Sequence, residues 1–70
     1  MNQLRNKGIY SKGEYVGKSL EEATKYAEEG GFIIRIVERE GIPLMLSHDV
    51  KENRLNFRIK NNTVVDVFGG

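Results

Sequence analysis

Residues 16–23, Val16-Gly17-Lys18-Ser19-Leu20-Glu21-Glu22-Ala23, limit this chain more than any other stretch. Ser19 has Glu22 three residues on, the spacing of a capping box. Glu21 adds a second acid to the first turn, where the helix dipole favours negative charge. Leu20, Ala23, Thr24 and Ala27 then recur on one helical face, with Glu21, Lys25 and Glu28 outside it. Gly30-Gly31 closes the run, and Gly30 is placed to take the left-handed cap. The pattern predicts one helix over residues 20–29. A helix of that length is not stable alone, so its apolar face has to pack on something.

Beyond the glycine pair the chain reads as extended. Residues 32–37, Phe32-Ile33-Ile34-Arg35-Ile36-Val37, form a near-continuous β-branched run broken by Arg35, which predicts a central strand with one face wet at that point. Residues 38–41 read as a turn around Glu40-Gly41. Ile42, Pro43, Leu44, Met45 and Leu46 are apolar again, and Pro43 confines them to an edge strand or an extended segment. The spacing allows an inserted hairpin, residues 33–39 against 42–47. Residues 54–60 alternate strictly, with Leu55, Phe57 and Ile59 on one face and Arg54, Asn56, Arg58 and Lys60 on the other. Asn61-Asn62 is a two-residue hairpin turn, because Asn tolerates positive φ. Residues 63–68 return as its partner strand. The expected architecture is α+β: one helix packed on a small mixed sheet of three to four strands. The expected core is Val16, Leu20, Ala23, Ala27, Ile34, Ile36, Leu55, Phe57, Ile59, Val65 and Val67. Residues 1–14 read as a flexible N-terminal arm, docked if at all through Tyr10 or Tyr15 at its boundary, and residues 15–70 as a single domain.

With 70 residues the chain makes one domain with a thin stability margin. Eleven basic and ten acidic residues leave a formal charge of +1, mixed along the chain, which argues against nucleic acid or a membrane surface as the partner. The first eight residues hold no apolar run, so the expected location is the cytoplasm, or outside the cell if a signal has been removed. Cysteine is absent, which excludes a disulfide framework and a thiolate metal site.

No residue set points to an enzyme, a metal or a cofactor. Gly17-Lys18-Ser19 looks like the end of a phosphate-binding loop, but Lys12 stands where that loop needs its first Gly. Ser47, His48 and Asp49 are adjacent, and adjacent side chains point apart, whereas a catalytic triad is assembled from distant segments. His48, Asp49 and Glu52 have no further obvious ligand for a metal. The outward residues Arg54, Asn56, Arg58 and Lys60, with Arg35, make a basic stripe. It reads as a solvated sheet face, as a brace for the preceding loop through Arg54 and Asn56, or as an RNA surface lacking the interleaved aromatics that stack bases. Residues 47–56 are polar and short of Gly and Pro, so they are either an ordinary connection or a displayed loop that other residues hold.

Two stretches carry a resemblance. Residues 16–23 resemble the start of the helix in the potato inhibitor I family of serine-protease inhibitors, which includes the eglin-type proteins. Ser47-His48-Asp49-Val50-Lys51-Glu52-Asn53-Arg54-Leu55-Asn56 is similar to that family's reactive loop and its supporting strand: a small hydroxyl residue, the specificity residue, an acid, an aromatic (here Val50), three further residues, then an Arg that opens a strand. The Arg54-Leu55-Asn56 run and closing hairpin resemble still more the bacterial and fungal small peptidase-inhibitor family, where Asn at position 56 suits the pattern. The resemblance covers about residues 15–70. It implies a loop around residues 46–50 (Leu46, Ser47, His48, Asp49, Val50) held between two parallel strands and entering a protease cleft as a substrate would. The scissile bond would lie between His48 and Asp49. Arg54 and Asn56 would brace the loop through Ser47 and Asp49. The implied partner is a subtilisin-like or chymotrypsin-like serine protease. The other reading is a small protein-interaction module, monomeric or dimerising through the apolar edge at residues 42–46.

Overall fold

The computed structural model describes residues 10–44, 46 and 49–70. Helix α1 runs Leu20–Glu29, over the residues that the capping pattern marks. Ser19 is extended at φ −65°, ψ 159°, and its hydroxyl oxygen accepts the Glu22 N–H at 3.1 Å. This satisfies one of the orphan donors of the first turn. The neighbouring carboxylate is used differently. Glu21 Oε1 accepts from the Asn62 side chain at 3.1 Å, which ties the helix start to the far hairpin turn. The Glu21 backbone N–H first, and then Asn62, hold that carboxyl below its ordinary pKa. At the other end the left-handed residue is Gly31 (φ +90°), not Gly30 (φ −86°). The helix keeps its expected bounds, and only the left-handed position falls one residue later than expected. Gly31 N–H then bonds to Glu28 O and Phe32 N–H to Ala27 O, the paired closure of a Schellman motif. That reversal delivers Phe32 to the core and starts the first strand.

Four strands form one mixed sheet: β1 Ile33–Arg39, β2 Ile42–Pro43, β3 Arg54–Lys60 and β4 Thr63–Gly69, in the order β2-β1-β3-β4. β1 and β3 are parallel, and the other two pairings are antiparallel. The fold is therefore α+β, with one helix against a four-stranded mixed sheet. Both tight hairpins turn on residues with positive φ, Glu40 (51°) and Gly41 (79°) in one, Asn61 (53°) and Asn62 (60°) in the other. Such turns match the right-handed twist of the flanking strands. Glu40 Oε2 accepts the Asn61 N–H at 2.9 Å, so the two turns are joined.

The core lies between α1 and the sheet. Leu55, Phe57 and Ile59 are at most 1% exposed, as the alternation requires, and Ala23 and Ala27 are sealed against them. Burying each of these large side chains contributes about 1.5–3 kcal/mol. Leu20, Ile34 and Ile36 are half-buried at its margin. Two core expectations fail. Val65 is 49% exposed, and Val64 takes the buried place at 1%. A bulge explains this: Ile59 pairs with Val64 whereas Arg58 pairs with Asp66, so one extra residue of β4 is accommodated and the alternation there changes phase. Val16 is exposed because Tyr15 holds the inward position instead. Tyr15 meets Tyr26 edge-on at 5.4 Å and Phe57 at 5.8 Å between ring centroids. Of residues 1–14, only 10–14 are described. Tyr10 contacts Phe32 edge-on, Lys12–Glu14 form a short 3-10 turn, and Lys12 reaches Asp66 at 3.0 Å.

Candidate functional site

A parallel pair cannot be closed by a tight turn. Between β1 and β3 the chain therefore makes the short β2 excursion and then a connection over residues 44–53. Within it, Asp49 lies against the face of the sheet opposite α1. On this face the parallel register sets Ile33 beside Arg54 and Arg35 beside Asn56, and β4 adds Phe68 beside Asn56.

The basic stripe consequently divides in two. Arg58 and Lys60 are exposed, but Arg54 is 6% exposed and Asn56 only 1%. Arg54 Nη2 donates to the backbone carbonyl of Asp49 at 3.0 Å and to that of Gly70 at 2.9 Å. The same guanidinium faces the Asp49 carboxylate, with Nη1 at 3.3 Å from Oδ2 and Nη2 at 3.5 Å from Oδ1. A buried Arg needs such partners, since an unpaired buried charge costs several kcal/mol. Its planar fork can hold a carbonyl and a carboxylate together, which a lysine ammonium does less well. Asp49 is thus anchored through its main chain and its side chain by the residue that opens β3.

Asn56 does not reach Asp49 directly. Its Oδ1 accepts from Arg35 Nε at 2.8 Å, and its Nδ2 donates to the Phe68 carbonyl at 3.2 Å. Arg35 Nη1 then lies 3.8 Å from Asp49 Oδ1. Two guanidinium groups, one from β1 and one from β3, converge on one carboxylate. The site role of Arg35 was not visible from sequence. Its only signal is that it breaks an apolar strand at a position whose register partner is a buried Asn.

Leu46, Asp49 and Val50 are described and exposed, Val50 at 81%. Met45, Ser47 and His48 lie outside the described residues, so the expected Ser47 bracing contact and the expected specificity residue do too. Upstream, Ile42 and Leu44 are exposed apolar side chains on the edge of the sheet, and Leu46 beyond them is exposed too. Leu44 N–H donates inward to Val37 O at 3.0 Å. In an antiparallel ladder the donor of the preceding residue then points outward, and that residue is Pro43, which has none. The edge is blunted where a further strand would pair.

At the exposed end of the stripe Arg58 is neutralised. Arg58 is ion-paired to Asp66 at 3.2 Å and to Glu38 at 3.5 Å, and it lies over the Phe68 ring. Lys12 holds the Asp66 carboxyl below its ordinary pKa, opposed by partial burial and helped by the Val67 N–H and Arg58. Among the described residues no cluster of His, Cys, Asp and Glu is arranged to hold a metal ion. No helix there is long and apolar enough to cross a membrane. Comparison with protein-family models, with curated proteins and with solved structures gives no match.

Proposed function

We propose that this chain is a serine-protease inhibitor, or a descendant of one, that presents residues 46–50 to a protease as a substrate-like loop. One observation carries the reading: Asp49 is fastened to the sheet by Arg54 within a connection that joins two parallel strands. The contact joins the two residues whose spacing carries the family resemblance. The scissile bond is then His48–Asp49, with Asp49 on the leaving side.

A braced loop inhibits for two physical reasons. Its ordering cost is already met in the free protein, so less is lost on binding. After a cut, the parallel pairing of β1 and β3 keeps the new ends near each other, so hydrolysis is slow and reversible. The exposed apolar side chains of Leu46 and Val50 flank the scissile bond and are free to enter pockets of the protease. Titrating the purified protein against subtilisin-like and chymotrypsin-like proteases tests the proposal. Stoichiometric inhibition is expected; no inhibition at micromolar protein, or rapid turnover after His48, would sink it.

The exposed Ile42, Leu44 and Leu46 favour a second reading, a protein-interaction module that dimerises through this edge. Pro43 works against strand pairing there, so such a contact has to be made by side chains. Light scattering on a size-exclusion column discriminates: a mass that stays at one chain across concentrations removes the dimer.

A further inference from the structure

Arg54 and Asp49 both lie C-terminal to the proposed scissile bond. Their contact stiffens that side of the loop but cannot join the two sides after a cut. Arg35 lies N-terminal to the bond, on β1. Its Nη1 is 3.8 Å from Asp49 Oδ1, and its Nε is fixed by Asn56 Oδ1 at 2.8 Å. Asn56 is itself held to the Phe68 carbonyl and is 1% exposed, so it has little freedom to re-aim. Arg35 Nη1 is buried and makes no hydrogen bond among the described residues. At this distance the carboxylate attracts it as a charge without a direct bond.

We propose that Arg35 is a positioning residue that holds Asp49 from the opposite side of the loop, so that the Arg35–Asp49 ion pair spans the His48–Asp49 bond. The location of that bond rests on the inhibitor reading, but the ion pair does not. Hydrolysis of the bond adds one water, leaving a carboxyl on His48 and an amine on Asp49. In the reverse direction the protease serine first takes the His48 carboxyl as its ester with loss of that water, and the Asp49 amine then attacks the acyl carbon. The C–N bond forms, the serine oxygen leaves, and the amine proton passes through the protease base to that oxygen. Arg35 stays with the N-terminal piece and keeps hold of Asp49, so the new amine is retained by the piece it was cut from and its effective concentration is raised. Asn56 acts one step back by aiming Arg35.

The test is made on the full chain with Arg35→Gln, beside Arg35→Lys, which keeps the charge and loses the fixed fork. Nitrogen-15 relaxation should show the amides of residues 49–53 moving from the rigid range near about 0.85 toward the flexible range below about 0.6 in R35Q. Amides of α1 and β4 should keep their values, and R35K should fall between. With a catalytic amount of subtilisin, the equilibrium ratio of cut to intact chain should rise about two- to fivefold in R35Q, the range of a partly exposed ion pair. Unchanged order in residues 49–53 would overturn the proposal. So would an equal loss of order throughout the chain, which would mark Arg35 as support for the fold alone. Loosening of the loop with an unchanged cut-to-intact ratio would overturn the bridging role. If the loop loosens while the wild-type chain inhibits no protease, the inhibitor reading fails and the ion pair stands.

Discussion

Arg54→Met removes the guanidinium and leaves most of the stem in place. Two bonds to carbonyl oxygens are lost, at 3.0 Å to Asp49 and 2.9 Å to Gly70, together with contacts at 3.3 and 3.5 Å to the Asp49 carboxylate. Charge-assisted hydrogen bonds contribute about 1.5–3 kcal/mol each in net terms. The Asp49 side chain is 45% exposed, however, so water recovers much of what it loses, and the two longer contacts count for little. The expected loss in loop anchoring is about 2 kcal/mol. That raises the open population about thirtyfold. Where reclosing is faster than cutting, proteolysis follows the open population. Subtilisin at a catalytic ratio, followed by mass spectrometry, should therefore cut R54M within residues 46–50 about thirtyfold faster than the wild type. Arg58→Met is the control: its side chain is 46% exposed and paired to half-exposed acids, so its cutting rate should stay within about twofold. Circular dichroism at the assay temperature establishes that both variants are folded. Wild-type cutting of R54M, or equal acceleration in R58M, would refute the reasoning.

The β4 bulge makes Val64 and Val65 unequal: Val64→Ala should cost roughly 2 kcal/mol in urea unfolding, and Val65→Thr should stay within about 0.5 kcal/mol. Equal losses would contradict the register. Asn62 has φ 60° and bonds Glu21, so Asn62→Ala should destabilise by about 1–2 kcal/mol; Asn62→Gly, free of the conformational strain, should lose less in the same assay. The lowered pKa of Asp66, caused first by Lys12, adds stability that is fully present above the unfolded carboxylate value of about 3.9 and is lost as pH falls through the lower folded value. Asp66→Asn should flatten the fall in stability below about pH 4, and an unchanged slope would remove this pair as a cause.

The parts of the fold that sequence made legible are those with local causes. Ser19 and Glu22 mark the helix start because capping chemistry is contained in four residues. Asn61-Asn62 marks the last hairpin because both residues must take positive φ. The contact between Asp49 and Arg54 is one that the family resemblance implies, and both residues lie in one short segment. The features that escaped depend on pairing between distant segments. The exchange of Val65 for Val64 arises from a bulge, a property of two strands together. Arg54 and Asn56 are buried on a face that strict alternation reads as solvent, where Arg54 meets Asp49 and Asn56 meets Arg35 and Phe68. Arg35 reaches Asn56 only because β1 and β3 are parallel in one register, although the two residues are 21 positions apart in the chain. The Gly30–Gly31 shift is smaller, a single residue at a helix end, where either glycine can take the left-handed position.

Whether residues 46–50 enter a protease cleft as a substrate is tested most directly by mixing the intact chain with equimolar subtilisin and following activity and chain mass together. Lasting loss of protease activity is predicted, with slow appearance of a single cut between His48 and Asp49. Undiminished activity, or a first cut at another bond, would contradict it.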